Sequence, residues 1–129
     1  MTNIADNLFP DNRLEGENSL RQCQLVMIRL LRIMDHLCRK YQVNYWIKDG
    51  TLLGAIRHQG FVPWDDDVDI AMTREDYNRF KLLAVPDLPE DIFFQTADTD
   101  PYYPRRRSVT AKLRDRYSCY EEIVERRNI

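Results

Sequence analysis

Asp65-Asp66-Asp67-Val68-Asp69 places four carboxylates within five residues, after Pro63-Trp64 and before the apolar run Ile70-Ala71-Met72. Asp67-Val68-Asp69-Ile70 alternates acid and aliphatic, the period of a strand with one wet and one buried face. On such a strand Asp67 and Asp69 point the same way, about 6–7 Å apart by strand rise. Carboxylates held side by side repel unless a cation sits between them, and a hard divalent ion such as Mg2+ or Mn2+ suits all-oxygen ligands.

Sixteen residues before Asp67 stands Thr51, preceded by Gly50. A glycine at a strand-to-helix turn lets the backbone approach a phosphate closely, and the free amides at the helix start face that anion. The Thr51 hydroxyl adds a donor. An anion cradle followed by paired carboxylates for a bridging metal comprises the parts that phosphoryl transfer needs. A calcium loop is the rival count: Asp65, Asp67 and Asp69 fall at positions 1, 3 and 5 of an EF-hand and Asp76 at position 12. It fails at position 6, where Ile70 stands in place of the turn glycine, and no helix enters it.

These residues need elements to hold them. Asn18-Ser19 offers an N-cap, and apolar residues recur at Leu20, Cys23, Met27, Leu30, Met34, Leu37 and Tyr41, widened by Val26 and Ile33. That spacing predicts a long amphipathic helix with Arg29, Arg32, Arg39 and Lys40 mostly outside the stripe. The stripe packs a core or, alternatively, pairs with a second copy as a homodimer. Val43–Ile47 reads as a strand, Thr51–Arg57 as a short helix, His58–Trp64 as a loop and Val68–Met72 as a second strand. Thr73-Arg74-Glu75-Asp76 caps a helix running to about Leu83. Ile92–Gln95 is a third strand, Ser108–Leu113 a fourth, and the charged tail from Tyr120 is helical or frayed. The expected fold is α/β (α+β), a small mixed sheet packed with helices, with residues 1–17 as an arm and 18–129 as one domain.

The 129 residues suffice for one core. Net charge of −2 and a pI near 5.7 argue against nucleic acid as a partner. The charge is uneven: six acids and one Arg from Phe61 to Tyr77, then eight Lys/Arg against four acids from Pro101 onward. No apolar run is long enough to span a membrane. Three cysteines (Cys23, Cys38, Cys119) without metal-ligand spacing or a signal peptide point to a reducing compartment. The expected location is cytoplasmic, at the inner face of a membrane only through partners.

The stretch Gly50-Thr51-Leu52-Leu53-Gly54-Ala55-Ile56-Arg57-His58-Gln59-Gly60-Phe61-Val62-Pro63-Trp64-Asp65-Asp66-Asp67-Val68-Asp69-Ile70 resembles the signature of the LicD family. Asp35, Cys38 and Tyr45-Trp46 before it, and Met72, Arg74, Asp76-Tyr77 and Ala111–Asp115 after it, fit the family's flanks. The resemblance covers about Leu30 to Asp115. It implies a nucleotidyltransferase-like fold and metal-dependent transfer of a phospho-substituent such as phosphocholine from a CDP-activated donor. The acceptor it implies is a hydroxyl of a cell-surface glycan, teichoic acid or lipopolysaccharide. The fukutin-related proteins, which handle CDP-ribitol, are distant relatives.

Residue by residue, the resemblance assigns Asp67 and Asp69 as catalytic metal carboxylates, with Asp65 supporting the metal. Gly50, Thr51, Arg57, His58 and Lys112 go to the phosphate. Fold support stands beside this role for Arg57, and loop and strand surface roles for His58 and Lys112. The family places a third carboxylate on a Phe-Ile-Asp-Ile-Phe-Pro-like strand after the region of Lys112–Asp115, and the chain ends at Ile129 without it. The chain therefore corresponds to an N-terminal or truncated portion of that domain, with Asp115 the candidate substitute for the missing acid. A non-catalytic nucleotide- or partner-binding domain of the same fold is the alternative. Among the aromatics, Trp64, Phe61 and Tyr77 flank the acids and could pack or enclose a choline ammonium. Tyr102 and Tyr103 are further loop candidates.

Overall fold

The structure, a computed structural model, describes residues 8–103 and 110–118. Helix α1 (Ser19–Lys40) begins at Asn18, whose side chain accepts the Arg21 N–H at 2.9 Å. At its other end Gln42 adopts a left-handed conformation (φ 58°), and the Val43 N–H returns to the Cys38 carbonyl at 2.8 Å. This is a Schellman closure made without glycine. It consumes the first residues of the expected strand Val43–Ile47, so β1 is only Trp46–Ile47.

Helix α2 (Asp49–Arg57) follows, then a loop, then β2 (Ile70–Ala71). Helix α3 (Arg74–Arg79) is capped by Thr73, whose Oγ accepts the Asp76 N–H at 3.1 Å, and it continues as a π turn (Phe80–Ala84) and a 3-10 turn (Val85–Asp87). Strands β3 (Ile92–Gln95) and β4 (Lys112–Asp115) complete the described chain. The expected fourth strand is displaced toward its C-terminal half, and its residues 108 and 109 lie outside the described residues, as do Cys119 and the tail from Tyr120.

The α+β class holds. The strands, expected in one mixed sheet, pair as two antiparallel ribbons, β1–β2 and β3–β4, with Ile47 opposite Ile70 and Ile92 opposite Asp115. The core is built from Ile33, Met34, Leu37 and Cys38 of α1, with Val43, Phe80, Ala84 and Ile92. Burial of the Cys38 thiol pushes its pKa up to about 11, so it is an apolar filler.

Two expectations for the N-terminal region change. Arg29, expected outside the α1 stripe, is buried: its Nη1 meets Asp91 at 2.7 Å and its Nε donates to the Phe9 carbonyl at 2.9 Å. A buried guanidinium is tolerable because it is paired. The described part of the arm is anchored too. Phe9 packs edge-on to His36, and Arg13, in a 3-10 turn (Arg13–Glu15), reaches β4. Among the described residues no helix is long and apolar enough to cross a membrane.

Candidate metal and phosphate site

The acidic run lies between two anchors. Strand β2 starts only at Ile70, so Asp67 and Asp69 precede the ladder rather than share a strand face. At the C-terminal anchor both backbone groups of Asp69 are taken. Its N–H donates to Thr51 Oγ1 at 2.9 Å, and its carbonyl accepts the Lys48 N–H at 3.2 Å. At the N-terminal anchor both backbone groups of Asp65 are taken. Its N–H donates to the Val62 carbonyl at 2.9 Å, and its carbonyl accepts Gln24 Nε2 at 2.9 Å. Asp66, Asp67 and Val68 bridge the two.

The carboxylates that converge are Asp65, Asp66 and Asp67, each offering an oxygen within 4.8 Å of the others. Among the described residues neither Asp69 nor Asp115 joins this group. Asp67 is exposed, yet desolvation by its neighbours, a hydrogen bond shared with Asp65, and the charges of Asp69, Asp65 and Asp66 push its carboxyl up to about 6. Crowded carboxylates that resist ionising together favour either a proton or a cation among them. Three hard oxygen donors fit Mg2+ or Mn2+ rather than a thiophilic metal.

Gly50 lies in the first turn of α2, and a Cβ there would stand 2.9 Å from Asp65 Oδ2. Any larger residue there would press on that carboxylate, so the glycine lets Asp65 lie directly against the helix start. Asp49, just before it, holds a left-handed backbone (φ 54°), a conformation that Asp tolerates better than most residues. Thr51 faces the segment that enters β2, where its oxygen accepts from the Asp69 N–H; its hydroxyl proton is still available to donate.

Arg57 and His58 lie at the opposite end of α2 from Gly50, roughly 10 Å away by helix rise. Both are exposed, and His58 closes the helix through its N–H to the Gly54 carbonyl at 2.8 Å. Lys112 is exposed on β4, opposite Gln95. Asp115, the candidate substitute acid, has both oxygens occupied by the Arg13 guanidinium at 2.9 Å, and its side chain is 3% exposed. Burial raises its pKa, but hydrogen bonds from Arg13 and Ser118 outweigh that and hold it below the usual carboxylate value. It serves the fold, not the acidic group.

Of the aromatics, Trp64 is 76% exposed beside the acids. Tyr77 already has Arg74 and Lys81 over its ring, at 5.3 and 4.8 Å. Tyr103 is buried, which removes it as a loop contact, whereas Tyr102 is exposed.

Two positioning residues were not apparent in the sequence. Gly54 is buried, and a Cβ there would run into the Gly60 carbonyl and lie 2.8 Å from the Val62 nitrogen. The loop entering the acidic run thus packs backbone-to-backbone on α2. Gln24 is buried on α1 beside the apolar stripe, where its polar side chain gave no signal of burial.

The glycine in the first turn of α2, a hydroxyl bonded to the adjoining segment and a carboxylate cluster thus lie together in one part of the fold. The sequence profile described as LicD/FKTN/FKRP, nucleotidyltransferase domain, matches residues 42–115, and the chain belongs to that family. It is similar to the lipopolysaccharide cholinephosphotransferase LicD of Haemophilus influenzae, 42% identical over 80 residues, covering 62% of this chain and 30% of the relative. An uncharacterized protein of Rickettsia prowazekii is 38% identical over 73 residues, 57% of this chain and 26% of the relative. The human ribitol 5-phosphate transferase FKRP is 53% identical over 41 residues, 32% of this chain and 8% of the relative. The chain therefore spans less than a third of the length of these relatives. No solved structure matches it significantly.

Proposed function

We propose that this chain is a transferase domain that moves a phospho-substituent such as phosphocholine from a CDP-activated donor to a hydroxyl of a cell-surface glycan, lipopolysaccharide or teichoic acid. The observation that carries the reading is the convergence of Asp65, Asp66 and Asp67, with Asp65 lying against the Gly50 turn. Asp67 is the central ligand, Asp65 and Asp66 complete the donor set, and Asp69 adds its charge from the anchored end. A bound Mg2+ or Mn2+ would neutralise the donor diphosphate. The first turn of α2 seats a phosphate on its amides, and Thr51 can donate its hydroxyl proton there while holding Asp69. Arg57, His58 and Lys112 carry positive charge or donors for more distant parts of the donor.

Support for this acceptor and donor class comes from the family and from the names of the Haemophilus and human relatives. A second reading, binding of the nucleotide without turnover, is favoured by one observation: Asp115 is sequestered by Arg13, so β4 adds no acid to the cluster.

Calorimetry with Mn2+ and then CDP-choline, on the full chain and on Asp67→Asn, tests the proposal. The expected result is metal-dependent CDP-choline binding that the substitution abolishes. Equal binding by the two proteins would sink it. Release of CMP on adding acceptor glycan separates transfer from binding alone.

A further inference from the structure

We infer that Gln24, on the long N-terminal helix, is a positioning residue for the metal-binding loop, acting through the backbone carbonyls of Asp65 and Pro63; this rests on the metal reading above. The residue is only 3% exposed, although it is polar and flanks the apolar stripe. Its Nε2 donates to the Asp65 carbonyl at 2.9 Å and lies 3.5 Å from the Pro63 carbonyl. Its Oε1 accepts from Arg21 Nη1 at 3.0 Å.

The chemistry leaves one orientation for the amide. A guanidinium can only donate and a peptide carbonyl can only accept, so oxygen faces Arg21 and nitrogen faces the loop. Arg21 sits three residues before Gln24 on α1, within reach on the same helical face. The chain from Arg21 through Gln24 to Asp65 thus runs from the exposed helix surface to the backbone of a carboxylate in the cluster. Asp65 is fixed at both backbone groups, and its Oδ2 lies against Gly50, 2.9 Å from where a Cβ would stand. Releasing its carbonyl would let the loop rotate and carry that carboxylate out of register with Asp66 and Asp67. Outer groups that orient metal ligands typically change metal affinity by about 10–100-fold when removed.

The test is Mn2+ affinity of the full chain by electron paramagnetic resonance, in wild type, Gln24→Met and Arg21→Met. Gln24→Met keeps the volume and removes the donor, and about tenfold weaker Mn2+ binding is expected. The metal-free melting curve should remain cooperative. Arg21→Met separates orientation from charge. Deleting a cation near a metal site would by electrostatics alone tighten cation binding; the orienting role requires weaker binding instead. Wild-type affinity in Gln24→Met overturns the inference. If Gln24→Met does not fold, Arg21→Met decides: weakened binding supports the role, and unchanged or tighter binding overturns it. Absence of Mn2+ binding by wild type would remove the metal reading itself, and this inference with it.

Discussion

The oxygen of Thr51 accepts a hydrogen bond from the backbone N–H of Asp69 at 2.9 Å, joining the first turn of α2 to the end of the acidic run. The residue expected to meet phosphate is therefore also the residue that fixes the carboxylate loop. Thr51→Val keeps the shape and removes the acceptor. The expected loss is about 1 kcal/mol of stability, read by urea unfolding. Mn2+ binding should weaken with it. Thr51→Ser, which restores the oxygen, should recover both; a valine protein indistinguishable from wild type would show that the bond is incidental.

Gly54 supplies a prediction of the opposite kind, one of too much volume. Its neighbours across the gap are backbone atoms of Gly60, Phe61 and Val62, which cannot swing aside as a side chain can. Gly54→Ala should cost roughly 1–3 kcal/mol by overpacking. At Gly60 a Cβ would meet only the His58 carbonyl, at 4.0 Å. Gly60→Ala should therefore stay within about 0.5 kcal/mol. Parallel denaturant titrations would settle it, and equal costs at the two glycines would contradict the packing account.

Arg13→Ala should strand the Asp115 carboxylate in the interior. Breaking a buried pair from one side costs about 3–5 kcal/mol, and the partial exposure of Arg13 places this case near the lower end. The sign with pH follows from the lowered pKa of Asp115. Its stabilisation is complete above the unfolded value of 3.8 and is lost as pH falls through the folded value. Wild type should lose stability on that acid limb, and Arg13→Ala should show a shallower slope there. A mutant with the wild-type acid limb would refute the assignment.

Asp67 runs the other way. Its folded pKa, about 6, exceeds the reference value of 3.8, so the folded state holds a proton that the unfolded chain has released. The metal-free protein should become less stable as pH rises across that interval. Mn2+ binding should strengthen over the same interval, because the ion displaces that proton. Asp67→Asn should flatten both profiles. Mn2+ affinity that is constant from pH 5 to 7, roughly spanning the transition, would argue against Asp67 as a ligand.

The parts of this fold written in side-chain period were legible in sequence. The 3-4 spacing gave α1, the Thr73 cap gave the start of α3, and Ile92–Gln95 was read with its observed limits. What was not legible depended on backbone closure and on partners far along the chain. Gln42 takes a left-handed turn normally signalled by glycine, so the shortening of β1 had no sequence mark. The Asp67–Asp69 alternation resembles a strand, but Thr51 takes the Asp69 N–H and Gln24 the Asp65 carbonyl, so side chains rather than a partner strand hold the run. The site's chemistry was visible as residue types. Which carboxylates converge was not, because Asp65 is placed by a helix 41 residues upstream.

The Arg13–Asp115 pair spans 102 positions, and this separation orders events during synthesis. A chain leaving the ribosome amino end first presents the guanidinium early, in water, where it can remain solvated. The carboxylate arrives with β4, the same strand that pairs with β3. Contacts so distant in sequence form late, after loop-closure entropy has been met. Docking of the last described strand therefore also delivers the carboxylate that latches the amino-terminal segment.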